Sequence, residues 1–246
     1  MKIFITGVSS GIGRELTKKL VGQGHEVWGI ARRIELLEKL KQEVGGKLKV
    51  SECDLLDKSD MAATVKKLRD ENFIPDIIIL NAGDHIEDTK AGLDLYAFEK
   101  TFDLNVTGAM FWVSEFLPNF FTRKSGSIIA ISSTSAYRPG LKSVAYPASK
   151  AALSMAFRGL RLKYPNKGIN FNTVHFGPIR TRLWAGSKSF LIRPAGEAAD
   201  FIISVFQKKS GTFFFPFLST FLFRLSLLLP DRLFTFSTGF LKKDQD

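Results

Sequence analysis

The chain has 246 residues, 45% hydrophobic and 24% charged, a balance that supplies a packed core and excludes disordered, fibrous and disulfide-scaffold proteins. Its 35 basic and 24 acidic residues leave a formal net charge of +11, which favours anionic partners such as nucleotide phosphates, acidic lipid surfaces or a charged substrate. The basic residues are spread along the chain with no Lys/Arg-rich arm, so nucleic acid is not expected, and the single cysteine, Cys53, excludes an intrachain disulfide.

Met1 to Thr6 reads as a strand that enters the fold at once, without the basic, apolar and small-residue stretches of a signal peptide, so a cytoplasmic protein is expected. Short β-branched runs predict strands at Lys2–Thr6, Glu26–Ile30, Lys47–Cys53, Asp76–Leu80, Ser127–Ile131 and Ile169–Val174. Helical spacing occupies Ile12–Gly22, Ile34–Val44, Ser59–Glu71, Leu93–Phe121 (with a break allowed) and Ser143–Tyr164. Such alternation implies parallel pairing with right-handed crossovers: an α/β, doubly wound parallel sheet, a Rossmann fold of about seven strands with helices on both faces. Ile77-Ile78-Ile79-Leu80 and Ile128-Ile129-Ala130-Ile131 are apolar throughout, as strands covered on both faces should be. We expect one domain over 1–246, with 213–246 an apolar C-terminal extension.

After the first strand comes Thr6-Gly7-Val8-Ser9-Ser10-Gly11-Ile12-Gly13. Three glycines let backbone N–H groups approach a pyrophosphate, and the helix that follows adds its positive end. Taken alone, such a turn also fits a bare tight turn. The second strand leads to Ala31-Arg32-Arg33, where an NAD site usually places a carboxylate for the ribose 2′-hydroxyl. Two guanidinium groups suit a 2′-phosphate instead, so NADP(H) is expected over NAD(H); the bland alternative is a solvated helix start.

Tyr146-Pro147-Ala148-Ser149-Lys150 puts a phenol and an ammonium on one face of a helix start. A neighbouring cation is expected to lower the phenol from its ordinary value of about 10 toward that of a working acid/base. Ser133 stands thirteen positions earlier, at the carboxyl edge of the sheet.

Thr-Gly-x-x-x-Gly-x-Gly together with Tyr-x-x-x-Lys resembles the single-domain short-chain dehydrogenase/reductase family over about residues 2–181. The resemblance implies cofactor contacts by Gly7, Ser9, Ser10, Gly11, Ile12 and Gly13, by Asp54 and Leu55 at the adenine, and by Asn81-Ala82-Gly83. It implies catalytic roles for Asn105, Ser133, Tyr146 and Lys150: Ser133 (matching better than Ser132) polarises the substrate oxygen, Tyr146 moves the proton, Lys150 tunes Tyr146 and holds the nicotinamide ribose, and Asn105 holds a relay water. Gly177 and Thr181 match the segment that meets the carboxamide, with Phe176 replacing the family's proline and putting the loop's geometry in question. The implied activity is NADP(H)-dependent interconversion of a carbonyl and an alcohol of a small molecule, in a homodimer or homotetramer. A non-catalytic NADP-binding regulatory or scaffold protein, and an epimerase or dehydratase acting on nucleotide sugars, are the competing readings. His25, His85 and His175 have no ligand spacing and Ser133 has no histidine in motif context, so neither a metal site nor a hydrolase triad is expected.

Arg180 to Pro194 is expected to cover the substrate. It carries Arg180, Arg182, Lys188 and Arg193 beside Leu183, Trp184, Phe190 and Leu191, fitting a partly apolar substrate with an anionic group, or merely a solvated loop. Nine of the 23 Phe lie in 213–246. Phe213-Phe214-Phe215 can form the seventh strand. Phe217–Leu229 is too short, and too broken by Arg224 and Pro230, to cross a bilayer; cleft packing, a homo-oligomer contact and peripheral membrane contact all remain open for it.

Overall fold

The computed structural model describes residues 1–84, 92–139, 143–181 and 192–234. Strands β1 (Lys2–Thr6), β2 (Glu26–Ala31), β3 (Leu48–Glu52), β4 (Ile77–Leu80), β5 (Gly126–Ser133) and β6 (Ile169–Phe176) follow the expected runs to within three residues at either end. Between them lie α1 (Gly11–Gly22), α2 (Ile34–Val44), α3 (Lys58–Asp70), α4 (Leu95–Phe102), α5 (Gly108–Arg123) and α6 (Ala145–Lys163). A two-residue pair, β7 (Ile179–Arg180) and β8 (Arg193–Pro194), precedes α7 (Ala195–Val205), β9 (Gly211–Phe215) and α8 (Phe217–Leu225).

Seven parallel strands form the main sheet in the order β3-β2-β1-β4-β5-β6-β9, so the expected doubly wound sheet is present. The strand order reverses between β1 and β4, which opens a crevice beyond their carboxyl ends. The period of two splits each apolar run between two cores. Ile3, Ile5, Ile77, Ile79, Ile129 and Ile131 pack with α1, α2 and α7. Phe4, Ile78, Leu80, Ile128 and Ala130 face α3, α5 and α6, where Trp112 lies 4.6 Å from the Phe4 ring. The continuous apolar strands are thus two half-strands, each satisfying a different layer.

Two departures matter for the site. The long helix expected over Leu93–Phe121 is two helices joined by a π-turn, Asp103–Thr107, that carries Asn105. Helix α7 was not recognised in the sequence; its buried Ala198, Ala199, Ile202 and Val205 cover the sheet beside α1.

Candidate active site

A cavity of about 850 Å³ opens at the strand reversal. Its nucleotide-side wall is the β1–α1 turn. Gly7 and Gly11 hold φ of 76° and 57°, which side chains with a Cβ rarely adopt. Gly13 is a glycine for another reason: a Cβ there would stand 2.2 Å from the Gly7 carbonyl oxygen and 2.5 Å from Asn81 Nδ2. Asn81 Nδ2 donates to the carbonyls of Thr6 and Gly7 at 3.0 Å each, while Thr6 Oγ1 accepts from the Ala82 N–H at 2.9 Å. The Asn-Ala-Gly segment therefore braces the turn from β4. Arg33 reaches across from β2, with Nη2 donating to Ser9 Oγ at 3.0 Å and Ser10 Oγ at 3.1 Å, and Arg32 lines the same end.

Of the expected cofactor residues, Gly7, Ser9, Ser10, Gly11, Ile12, Arg32, Arg33, Leu55, Asn81, Ala82, Gly83, Tyr146, Lys150, Gly177 and Thr181 all line this cavity. Gly13 stands behind the turn as packing. Asp54 is not among the lining residues; its Oδ1 accepts from the Leu56 N–H at 3.0 Å, the local turn geometry its residue type favours.

The proton-handling groups meet where β5 ends against α6. Ser133 caps the short helical turn Thr134–Ala136, accepting from the Ser135 N–H at 3.2 Å, and its hydroxyl hydrogen-bonds Tyr146. Ser132, one residue back on the strand, commits its hydroxyl to the Lys150 carbonyl (3.2 Å) and Ser154 Oγ (2.8 Å). Burial pushes the Tyr146 phenol above its ordinary value; the bond from Ser133 opposes this and the negative charge of Asp84 adds to it. Lys150 was expected to lower the phenol. Here its Nζ turns to the Ile131 carbonyl at 2.9 Å, 5.7 Å from the Tyr146 ring centroid, and desolvation pulls the ammonium itself down to about 8. Burial therefore sets the direction for both groups.

Asn105, fully buried, acts as a brace. Its Oδ1 accepts from the Asp84 N–H (3.1 Å), and its Nδ2 donates to the Asp84 carbonyl (3.2 Å) and to Ser149 Oγ (3.0 Å) on α6. Between this amide and Lys150 runs Gly83, whose Cβ would meet Lys150 Nζ at 2.8 Å and Asn105 Oδ1 at 3.0 Å. The π-turn aims the amide there by interrupting the helical register, a device common at functional sites.

Phe176 extends β6 by pairing with Phe215, and the loop begins at Gly177, whose N–H donates to the Phe215 carbonyl at 2.8 Å. Thr181 then lies over the glycine turn, since a Cβ on Gly11 would meet Thr181 Cγ2 at 3.3 Å. Within the expected cover, Arg193 is held by Glu197 (2.5 and 2.8 Å) and the β7–β8 pair ties the loop's ends. Arg182, Leu183, Trp184, Lys188, Phe190 and Leu191 lie outside the described residues, as do His85 and residues 235–246.

The opposite wall comes from α8, in the segment for which cleft packing was one of the readings; the residue that holds it was not singled out in the sequence. Arg138, only 4% exposed, lines the cavity. Its guanidinium donates to the carbonyls of Ser226 and Leu229 and to Asp231, and its face lies 4.1 Å from the Phe234 ring centroid. This anchors α8, which contributes Ser219, Leu222 and Phe223 to the lining. Among the described residues no group of three or more His, Cys, Asp or Glu is placed to hold an ion. A carbonyl can only accept, so the His175 Nδ1–H donates to Ser133 O at 3.0 Å, with the ring between Tyr137 and Phe214 (4.9 and 5.2 Å). Burial holds this imidazole down to about 4, hence neutral. No motif marks Arg138 or His175, because each acts through the backbone of segments distant in sequence. No helix among the described residues is long and apolar enough to cross a membrane.

A model of the short chain dehydrogenase family matches residues 1–190. The fatty acyl-CoA reductase of Acinetobacter baylyi is 33% identical over 213 residues, covering 83% of this chain and 72% of that protein. Among solved structures, a short-chain dehydrogenase from Streptomyces avermitilis superposes with a TM-score of 0.82 at 23% identity, covering 100% of this chain and 98% of that one. A serine dehydrogenase complexed with NADP⁺ superposes with a TM-score of 0.79 at 22% identity, covering 87% and 94%.

Proposed function

The chain belongs to the short-chain dehydrogenase/reductase family of oxidoreductases, and from that we propose that it interconverts a carbonyl and an alcohol with NADP(H), using Tyr146 as general acid and base. The carrying observation is the meeting of Ser133, Tyr146 and Lys150 in one cavity with a glycine turn that a Cβ would fill.

The residues fit a dinucleotide. The β1–α1 turn would take the pyrophosphate at the helix N-terminus. Arg32 and Arg33 would take the 2′-phosphate, with Arg33 already held over Ser9 and Ser10 and no carboxylate at Ala31 to favour a free 2′-hydroxyl. Asn81, Ala82, Gly83, Gly177 and Thr181 would flank the nicotinamide side, and Leu55 the adenine side beside Asp54. When bound, the nicotinamide supplies or accepts the hydride.

The chain's own residues handle the oxygen. Ser133 donates a hydrogen bond to it, and Tyr146 gives its proton to the alkoxide as the carbonyl is reduced, or takes it back in oxidation. A phenol held above its ordinary value is fully protonated near neutrality, so it enters reduction as the acid. Lys150, an ammonium below about pH 8, compensates the phenolate left behind and holds the ribose. Asn105 keeps residue 84 and α6 in register, and with them the path by which a water would return the proton. The reading takes 1–246 as one working domain with 213–246 as its extension, in a cytoplasmic homodimer or homotetramer. The acyl-CoA substrate in the Acinetobacter protein's name puts carbonyls on long carbon skeletons among those to assay.

A panel of carbonyls with NADPH and NADH, and of alcohols with NADP⁺ and NAD⁺, followed at the nicotinamide absorbance, tests this. Turnover should favour the phosphorylated cofactor, and Tyr146→Phe should lower kcat by roughly 10²–10⁴-fold while NADPH still binds. Cofactor binding without turnover of any substrate would favour the regulatory reading; equal rates in Tyr146→Phe would remove the assigned acid.

A further inference from the structure

On the function just proposed rests a narrower one: we propose that the substrate is an amphiphile with a long alkyl or acyl chain, its carbonyl at Ser133 and Tyr146 and its chain running along α8 and out over Leu222. The cavity's polarity is divided. Ser9, Ser10, Arg32 and Arg33 stand at the nucleotide end, whereas the rest of the lining includes Phe176, Pro178, Leu222 and Phe223, with the uncharged Ser135, Ser143 and Ser219 among them. Arg138, the charge that the described residues place on that side, is committed to two backbone carbonyls, Asp231 and the Phe234 ring, so it recognises protein.

Ser219, Leu222 and Phe223 sit at i, i+3 and i+4, one face of α8, turned to the cavity. Phe217, Leu218, Phe221 and Leu225 occupy the outer face and are at least half exposed, with Phe217 at 77% and its ring 5.9 Å from that of Phe221. Leu222 belongs to both surfaces: it lines the cavity and is 49% exposed. The apolar lining therefore continues over the rim onto the outside of the helix. Such an open, strip-like exit suits a flexible chain that bends over an edge, whereas a rigid polycyclic skeleton needs an enclosed pocket of matching shape.

The test uses full-length protein and two readouts. Rates for straight-chain aldehydes from butanal to decanal with NADPH give kcat/KM, and titration of the matching alcohols into NADP⁺-loaded protein gives affinity. Both should rise roughly two- to fourfold per methylene, the share of ~0.8 kcal/mol expected for partial to full burial of each group. Leu222→Asp, and separately Phe223→Ala, should cut the ten-carbon to four-carbon ratio at least tenfold. Butanol and decanol binding equally overturns the proposal, as do unchanged ratios in both variants. Tighter binding of the longer alcohols with no aldehyde reduced would fault the reaction and leave the chain-binding site standing; reduction with no dependence on length would do the reverse.

Discussion

The cavity has two walls built on different principles. The nucleotide wall is made of backbone: the carbonyls of Thr6 and Gly7 accept from Asn81 at the end of β4, and the Ala82 N–H donates to Thr6 Oγ1. The wall formed by α8 is made of side chains, and hangs from one buried guanidinium reaching three points between Ser226 and Asp231. A backbone wall has few sequence solutions, because Gly7 and Gly11 hold a positive φ and a Cβ on Gly13 would stand within 3 Å of a carbonyl oxygen and an amide nitrogen. A side-chain wall tolerates many sequences as long as its anchor survives, which is where substrate preference can vary while the cofactor site stays fixed.

The largest effect should come from filling the backbone wall. Gly13→Ala should weaken NADPH binding at least a hundredfold in a fluorescence titration, about 2.7 kcal/mol or more, whereas Gly22→Ala, with nothing within 4 Å of its Cβ, should change little. Similar affinities for the two variants would mean that the turn yields where the contacts say it cannot.

Next comes His175, which joins the walls by holding the Ser133 carbonyl against Phe214. Its folded value of about 4 lies below the ordinary 6.5, so the unfolded chain takes up a proton first as pH falls. This contribution is present above about pH 6.5 and is lost on acidification toward 4, costing roughly 2–3 kcal/mol by pH 4.5. Urea unfolding at pH 7 and 4.5 should show that loss in the wild type and a smaller one in His175→Phe; identical pH slopes would remove His175 as the titrating joint.

Arg138→Ala should cost about 1–3 kcal/mol of stability, less than a fully buried pair because Asp231 is exposed. Chymotrypsin should then cut around Phe217–Leu229 well before the sheet unfolds. Simultaneous cleavage throughout the chain would show that the α8 wall does not depend on its anchor. The smallest effect is expected at the phosphate end. Arg33→Ala should lower the preference for NADPH over NADH about tenfold, near 1.4 kcal/mol, and an unchanged ratio would leave Arg32 as the discriminating group.

How legible each wall was follows from the same contrast. The glycine turn, Asn81-Ala82-Gly83 and the Tyr146/Lys150 pair could be read from the chain because each is a local pattern at a strand end or helix start, and the strands were legible through their apolar runs. The π-turn at Asp103–Thr107 was not: Asp-Leu-Asn-Val-Thr has no glycine or proline to mark a break, and only the packing of α4 and of the turn itself against α6 shows where the register slips. Arg138 was invisible because its partners lie about ninety residues away. The acidic Tyr146 expected from its spacing to Lys150 also depends on tertiary detail, since spacing sets the face a side chain shares but not the carbonyl toward which its ammonium turns.

The π-turn also fixes an angular phase. Each residue of an α-helix advances the side chains by about 100°, so deleting one residue between 103 and 107 would swing Trp112, Phe116 and Phe120 away from the sheet even if Asn105 survived elsewhere. The five residues that aim one amide at Asp84 thereby key the orientation of a sixteen-residue helix, and a deletion there would be read out in the hydrophobic interior before it reached the chemistry.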